Sequence, residues 1–159
     1  MKSKRPAWDE YFMMLVDVVK KRADCTRRHV GAIVVKDNRI ISTGYNGTPN
    51  KIPNCTEGGC ARCKRRDKKE IEWFEYEESC ICIHAEQNAI IQAAYLGTST
   101  KDATVYSTTN PCSSCAKILI NAGIKRLVYR QEHHDIEGVN LLKKAKVEIL
   151  LFKNNRQFK

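Results

Sequence analysis

Strand and helix signals alternate from residue 84 to residue 152, and few architectures accommodate that order. Residues 84–96 carry small and apolar side chains (Ala85, Ala89, Ile90, Ala93, Leu96), with Gly97 placed to end a helix. Ala103–Thr109 reads as a strand, Cys112–Ala122 as a helix stopped by Gly123, and Arg126–Arg130 as a strand. Ile136–Ala145 reads as a helix with Asp135 as its N-cap, and Val147–Phe152 as a last strand. Upstream, Phe12, Leu15, Val16, Val19 and Ala23 mark one face of a helix over residues 9–23. Val30–Val35 and Arg39–Gly44 form a hairpin pattern around Asp37-Asn38. Strands joined through helices pair in parallel, so the sequence predicts a three-layer α/β/α sandwich on a five-stranded mixed sheet. At 159 residues, one domain covering 1–159 is the expected organisation.

One stretch does not fit this alternation. Residues 50–79 lack apolar periodicity and hold a basic run, Lys64 to Lys69, followed by scattered glutamates. A structureless loop of that length inside a small domain needs something to fix it. The chain has eight cysteines, at 25, 55, 60, 63, 80, 82, 112 and 115. The N-terminus is basic without an apolar core, and no run approaches the ~18 apolar residues of a membrane span, so a cytoplasmic protein is expected. In a reducing compartment, clustered thiols hold metal more often than they form disulfides. An insert at about 50–82 is therefore read as a zinc-binding loop.

The sharpest chemistry lies in His84-Ala85-Glu86 and Pro111-Cys112-Ser113-Ser114-Cys115. One imidazole and two thiolates suit zinc. Cys112 and Cys115, three apart, are expected on one face of a helix whose N-terminus favours thiolate over thiol. Glu86, two residues after His84, points about 200° away from it on a helix and is placed as a proton carrier rather than a ligand. Three protein ligands leave a fourth position for water, which marks a catalytic zinc site and lowers the pKa of that water to about 7. Lys and Arg number 28 against 18 Asp and Glu, a net charge of +10 that favours anionic partners such as nucleotides or nucleic acid.

These motifs resemble the zinc signature of the cytidine deaminase superfamily, H-x-E…P-C-x-x-C. The segments Val30-Gly31-Ala32-Ile33, Thr43-Gly44-Tyr45-Asn46-Gly47, Glu86-Gln87-Asn88-Ala89-Ile90 and Ala122-Gly123-Ile124-Lys125 resemble the deoxycytidylate deaminases within it. The likeness runs from about Trp8 to Val147. It implies zinc-dependent hydrolysis of dCMP to dUMP and ammonia, supplying thymidylate synthesis, with Glu86 as the catalytic proton carrier. His84, Cys112 and Cys115 would hold the catalytic zinc. Arg27, Asn46 and the backbone at Ala85 would contact substrate. Asn46 has an alternative role as a turn former, and Arg27 or its neighbour Arg28 as a solvated charge.

The resemblance further implies a structural zinc held by Cys25, Cys55, Cys60 and Cys80, with Cys63 or Cys82 able to replace one of them. Free buried thiols packing as small apolar groups are the alternative. A homo-oligomer such as a hexamer, activation by dCTP, inhibition by dTTP and Mg2+ accompanying those nucleotides belong to the same implication. At Tyr129-Arg130-Gln131-Glu132-His133-His134-Asp135 the chain departs from the family, with His133 where a tyrosine often stands, which leaves the phosphate contact there open. Two other readings compete. A tRNA adenosine deaminase, or another cytosine nucleotide deaminase, shares the zinc motif. A zinc-stabilised nucleic-acid-binding module would use Cys60-x-x-Cys63 and its basic flank, but it gives Glu86 no task.

Overall fold

The computed structural model describes residues 5–70, 80–132 and 135–153. Five strands form one sheet in the order β2-β1-β3-β4-β5, where β1 is Gly31–Lys36, β2 Arg39–Tyr45, β3 Thr104–Thr109, β4 Arg126–Gln131 and β5 Glu148–Leu151. β1 runs antiparallel to both β2 and β3, whereas β3, β4 and β5 are parallel. The sheet is mixed, as the sequence pattern predicts. Asp37 and Asn38 both take positive φ (49° and 57°), the conformation a two-residue hairpin turn requires.

Alternation along the strands sends side chains to two cores. Ala32, Val34, Val105, Leu127 and Tyr129 face one side, where they meet α3 (Ala85–Tyr95), α4 (Ser113–Asn121) and α5 (Glu137–Lys144). Ile33, Val35, Tyr106 and Val128 face the other, where α1 (Trp8–Val19) lays Phe12, Met13 and Val16 against them. Three helices on one face and one on the other make the three layers. The α1 layer is also held by charge. Arg126 donates from Nη1 and Nη2 to the two Asp9 carboxylate oxygens at 2.7 and 2.9 Å, and the Tyr106 hydroxyl donates to Oδ1 at 2.7 Å. Arg130 pairs with Asp17 about two turns further along the same helix face.

Helix ends differ from the sequence reading in two places that matter for the site. Cys112 is not the first helical residue of α4 but its N-cap, in extended conformation. Asp135 lies one residue further out than a cap of α5, whose N-cap is Ile136. Its carboxylate still accepts from Glu137 N at 3.0 Å, and its other oxygen accepts from Ser113 N at 3.2 Å, so one side chain ties the starts of α4 and α5 together. The insert is not structureless. It contains a tight helical turn, Cys55–Glu57, and a short helix, α2 (Ala61–Asp67). His133 and His134 lie outside the described residues, as do residues 71–79.

Candidate active site

Two helix N-termini, those of α3 and α4, meet just beyond the C-terminal end of β3. This is where parallel α/β sheets place ligands, because the loops there diverge and leave a crevice. His84 is the N-cap of α3, and its backbone N–H is held by Gln87 Oε1 at 2.9 Å. The segment before it is pinned by a two-bond bridge between Ile83 and Gly47, with N···O distances of 2.8 and 3.2 Å. Gly138 lets α5 lie directly on the backbone of Pro111-Cys112. A Cβ there would sit 2.1 Å from Pro111 O.

The result is a tripod. His84 Nδ1 lies 3.5 Å from Cys112 Sγ and 3.3 Å from Cys115 Sγ, and all three ligand atoms fall within 4.8 Å of one another. Zinc bound tetrahedrally at ordinary Zn–N and Zn–S lengths separates such nitrogen and sulfur atoms by about 3.6 Å. The spacing and the donor types both fit that ion. Hydrogen bonding to Cys115 draws the Cys112 thiol down to about 4, with His84 adding to the effect against burial. Cys115 is pushed up by donating to Cys112 and by its burial. The Cys112 thiolate in turn holds the His84 pKa above its ordinary value.

Glu86 is 4% exposed, on the second residue of α3. Burial raises its carboxyl above the ordinary carboxylate range, and the hydrogen bond from Ser107 Oγ to Oε1, 2.8 Å, pulls the other way. A carboxyl set this way holds a proton more readily than an exposed one, which suits a group that must take up a proton and return it. Ser107 lies on β3 outside any motif, so nothing in its sequence context singles it out.

A cavity of about 280 Å³ opens onto these groups. Ala85, Glu86, His84 and Cys112 form its floor, and Thr109 and Asn110 close one side. Arg27, Arg28 and Arg62 bring positive charge to the wall. Arg62 comes from the insert, and only the folded structure brings it here. Asn46 also lines the cavity, but its amide is engaged with the chain. Oδ1 accepts from Val30 N at 2.7 Å, and Nδ2 donates to Arg28 O at 2.8 Å. Asn46 therefore fixes the strand-entry segment 28–30 beside the cavity.

The six remaining thiols gather next to this cavity, in a different grouping from the one expected. Cys25, Cys55, Cys60 and Cys80 are not, as a foursome, one of the close sets. The close sets are Cys25, Cys55, Cys63 and Cys82, and Cys60, Cys63, Cys80 and Cys82. Cys63 and Cys82 belong to both, because α2 turns Cys63 back toward the Cys55 turn and Cys82 lies between the two ends.

A family model described as the cytidine and deoxycytidylate deaminase zinc-binding region matches residues 6–131. A deoxycytidylate deaminase of Saccharomyces cerevisiae is 38% identical over 149 residues, covering 93% of this chain and 46% of that protein. A deoxycytidylate deaminase of a Mycobacterium phage is 37% identical over 135 residues, covering 80% of this chain and 98% of that one. The chain thus spans less than half the length of the yeast relative and nearly all of the phage relative. A crystal structure of a cyanophage dCMP deaminase in complex with dCMP and dUMP superposes with a TM-score of 0.76 at 29% identity, covering 94% of this chain and all of that one. Among the described residues no helix is long and apolar enough to cross a membrane. Motif, fold and a likeness that covers nearly all of the phage relative agree, and the chain belongs to the family of cytidine and deoxycytidylate deaminases.

Proposed function

We propose that this chain hydrolyses dCMP to dUMP and ammonia. The observation that carries the reading is the His84–Cys112–Cys115 tripod sharing one cavity with a buried carboxyl, Glu86, and three arginines. The relatives named above support it, as does the fit of the cavity to one pyrimidine nucleotide.

His84, Cys112 and Cys115 would hold a zinc ion, which would supply Lewis acidity and make a water acidic enough to serve as nucleophile at neutral pH. Glu86 takes the proton from that water and passes it to the ring nitrogen beside the amino-bearing carbon. It then takes the proton of the hydroxyl now bonded to that carbon and gives it to the amino group, which leaves as ammonia as the C–N bond breaks and the C=O bond is completed. The enclosed position of Glu86 serves this shuttle, since a carboxylate in free water would hold too little of the proton to return it. Ala85 lies against the pyrimidine edge beside Glu86. Arg27, with Arg28 and Arg62 near it, faces the phosphate, where charge-assisted bonds to the guanidinium are strong. Asn46 positions residues 28–30 and with them those arginines.

The thiol cluster of the insert holds structural metal in this reading, pinning residue 25, the insert and the start of α3 together. The finer expectations stay with the proposal: a homo-oligomer, dCTP activation and dTTP inhibition with Mg2+, and a place in thymidylate supply. The rival tRNA substrate is less favoured, because the Gly44-Tyr45-Asn46-Gly47 loop and the relatives at 37–38% identity are those of deoxycytidylate deaminases.

A steady-state assay on dCMP, dCTP, deoxycytidine and tRNA tests the reading, with dCTP and dTTP added as effectors at fixed Mg2+. Turnover of dCMP far above the others is expected, and Glu86→Gln should lower kcat about 10²–10⁴-fold while zinc is retained. Ammonia released from tRNA alone, or full activity in Glu86→Gln, would overturn it.

A further inference from the structure

We propose that the six thiols outside the tripod hold two zinc ions as one binuclear cluster, with Cys63 and Cys82 bridging the pair. The sulfur arrangement carries this. Cys25 and Cys55 form one end, Cys60 and Cys80 the other, and each end completes a quartet within 4.8 Å only by including Cys63 and Cys82. No close set mixes the two ends. Two tetrahedra sharing an edge need that pattern: four terminal ligands in two pairs and two common ones. A single zinc would use one quartet and leave the other terminal pair as idle thiols beside it.

The distances suit the same geometry. Sulfurs on a tetrahedral zinc stand about 3.8 Å apart. Cys55 Sγ and Cys82 Sγ are 3.2 Å apart at one end, and Cys60 Sγ and Cys80 Sγ 4.0 Å apart at the other. The surroundings exclude the bland alternative. Cys25, Cys55, Cys60 and Cys63 are buried, yet among the described residues the apolar cluster they form consists of cysteines alone, with Cys82 packed against it. Thiols acting as small hydrophobes pack against aliphatic or aromatic side chains. A core of sulfur only is the environment of a metal.

Charge and protons balance. Two zinc ions displace six thiol protons, eight Zn–S bonds form, and the cluster carries two negative charges. Cations are its neighbours along the chain: Arg62, Lys64, Arg65 and Arg66 on α2 itself, and Arg27 and Arg28 just after Cys25. No inorganic sulfide is needed, since the bridging atoms are already protein thiolates. The cluster also adjoins the cavity: Cys25, Cys80 and Cys82 line its wall, and Arg62 reaches it from between Cys60 and Cys63. This inference shares with the reading above only the assignment of these thiols to structural metal. It does not depend on the substrate.

Metal counting tests it. Native mass spectrometry of the full chain, purified under reducing conditions with zinc, should give three zinc ions per chain. The variant Cys112→Ser/Cys115→Ser should keep two. A total of two, one or none per wild-type chain overturns the cluster, as does a Cys55–Cys82 disulfide seen as a mass deficit of two hydrogens. Should the double variant fail to fold, cadmium-113 NMR of the wild-type chain decides. Two thiolate-bound resonances split by mutual coupling through bridging sulfur are expected beside the tripod signal, and one uncoupled resonance refutes the bridge. Three zinc ions in a chain inactive on dCMP would sink the deaminase reading and leave the cluster standing.

Discussion

Replacing Gly44 by alanine puts a methyl group where β2 touches the backbone of α3. The new Cβ would lie 2.1 Å from Ala85 O, 2.4 Å from Ala89 N and 3.0 Å from Ala89 Cα. All three are main-chain atoms, so no side chain can swing aside. Even the shortest distance that real Cβ atoms keep, 3.0 Å, requires α3 to retreat by about 0.9 Å. Overpacking of this kind costs about 1–3 kcal/mol, or roughly 2–12 °C in Tm for a chain of this size. The retreat also moves His84 and Glu86, which ride on the first turn of α3. A shift of nearly 1 Å takes His84 Nδ1 out of tetrahedral reach of one thiolate and displaces the proton carrier, a misplacement worth on the order of 10²-fold in rate. Thermal unfolding, zinc content and kcat/KM on dCMP should be measured together for Gly44→Ala. A drop in Tm with kcat/KM lowered about a hundredfold is expected. Wild-type Tm together with wild-type kcat/KM would show that α3 is not seated by this contact.

Ser107→Ala removes the bond that lowers the Glu86 pKa, so the acid limb of a kcat/KM–pH profile should move to higher pH; a profile superimposable on wild type would contradict the assignment. Arg27→Ala should raise KM for dCMP about 10–100-fold and leave deoxycytidine turnover unchanged, the loss of one charged hydrogen bond to phosphate; equal effects on both substrates would remove Arg27 from the phosphate site. The Asp9 carboxyl is held below its ordinary value of 3.8, chiefly by the hydrogen bond from Arg126. The native state thus takes up its proton less readily than the unfolded chain does. The stabilisation is complete above that value and fades as pH falls through the lower native pKa. Asp9→Asn should cost about 1–2 kcal/mol at pH 7 and progressively less as pH falls below 3.8 in urea denaturation, because partly buried, bidentate charged bonds exceed exposed pairs; a difference that stays constant with pH would refute the charge argument.

Much of the fold is legible in the sequence. The hairpin at Asp37-Asn38, the alternation after residue 84 and the glycine stops at 97 and 123 are local, since each depends on backbone preferences or on apolar spacing within one element. The tripod was readable for a related reason. His84 and Glu86 are neighbours, as are Cys112 and Cys115, and each pair is carried by the first turn of one helix. The helix boundaries at Cys112 and Asp135 were less secure, because a cap is defined by hydrogen bonds that come from elsewhere in the chain, here between Asp135 and Ser113.

By itself, then, the sequence determined which segments become strand or helix and which residue types stand ready for zinc and proton transfer. Only the tertiary structure decided which distant groups meet. It placed Ser107 on Glu86, turned the Asn46 amide onto the backbone of residues 28 and 30, brought Arg62 to the cavity and divided six thiols into two quartets with a shared pair. The physical reason is one of range. Periodicity and capping act over a few residues, whereas these contacts span 16 to 57 positions and exist only once the sheet order and the path of the insert have fixed where each segment lies.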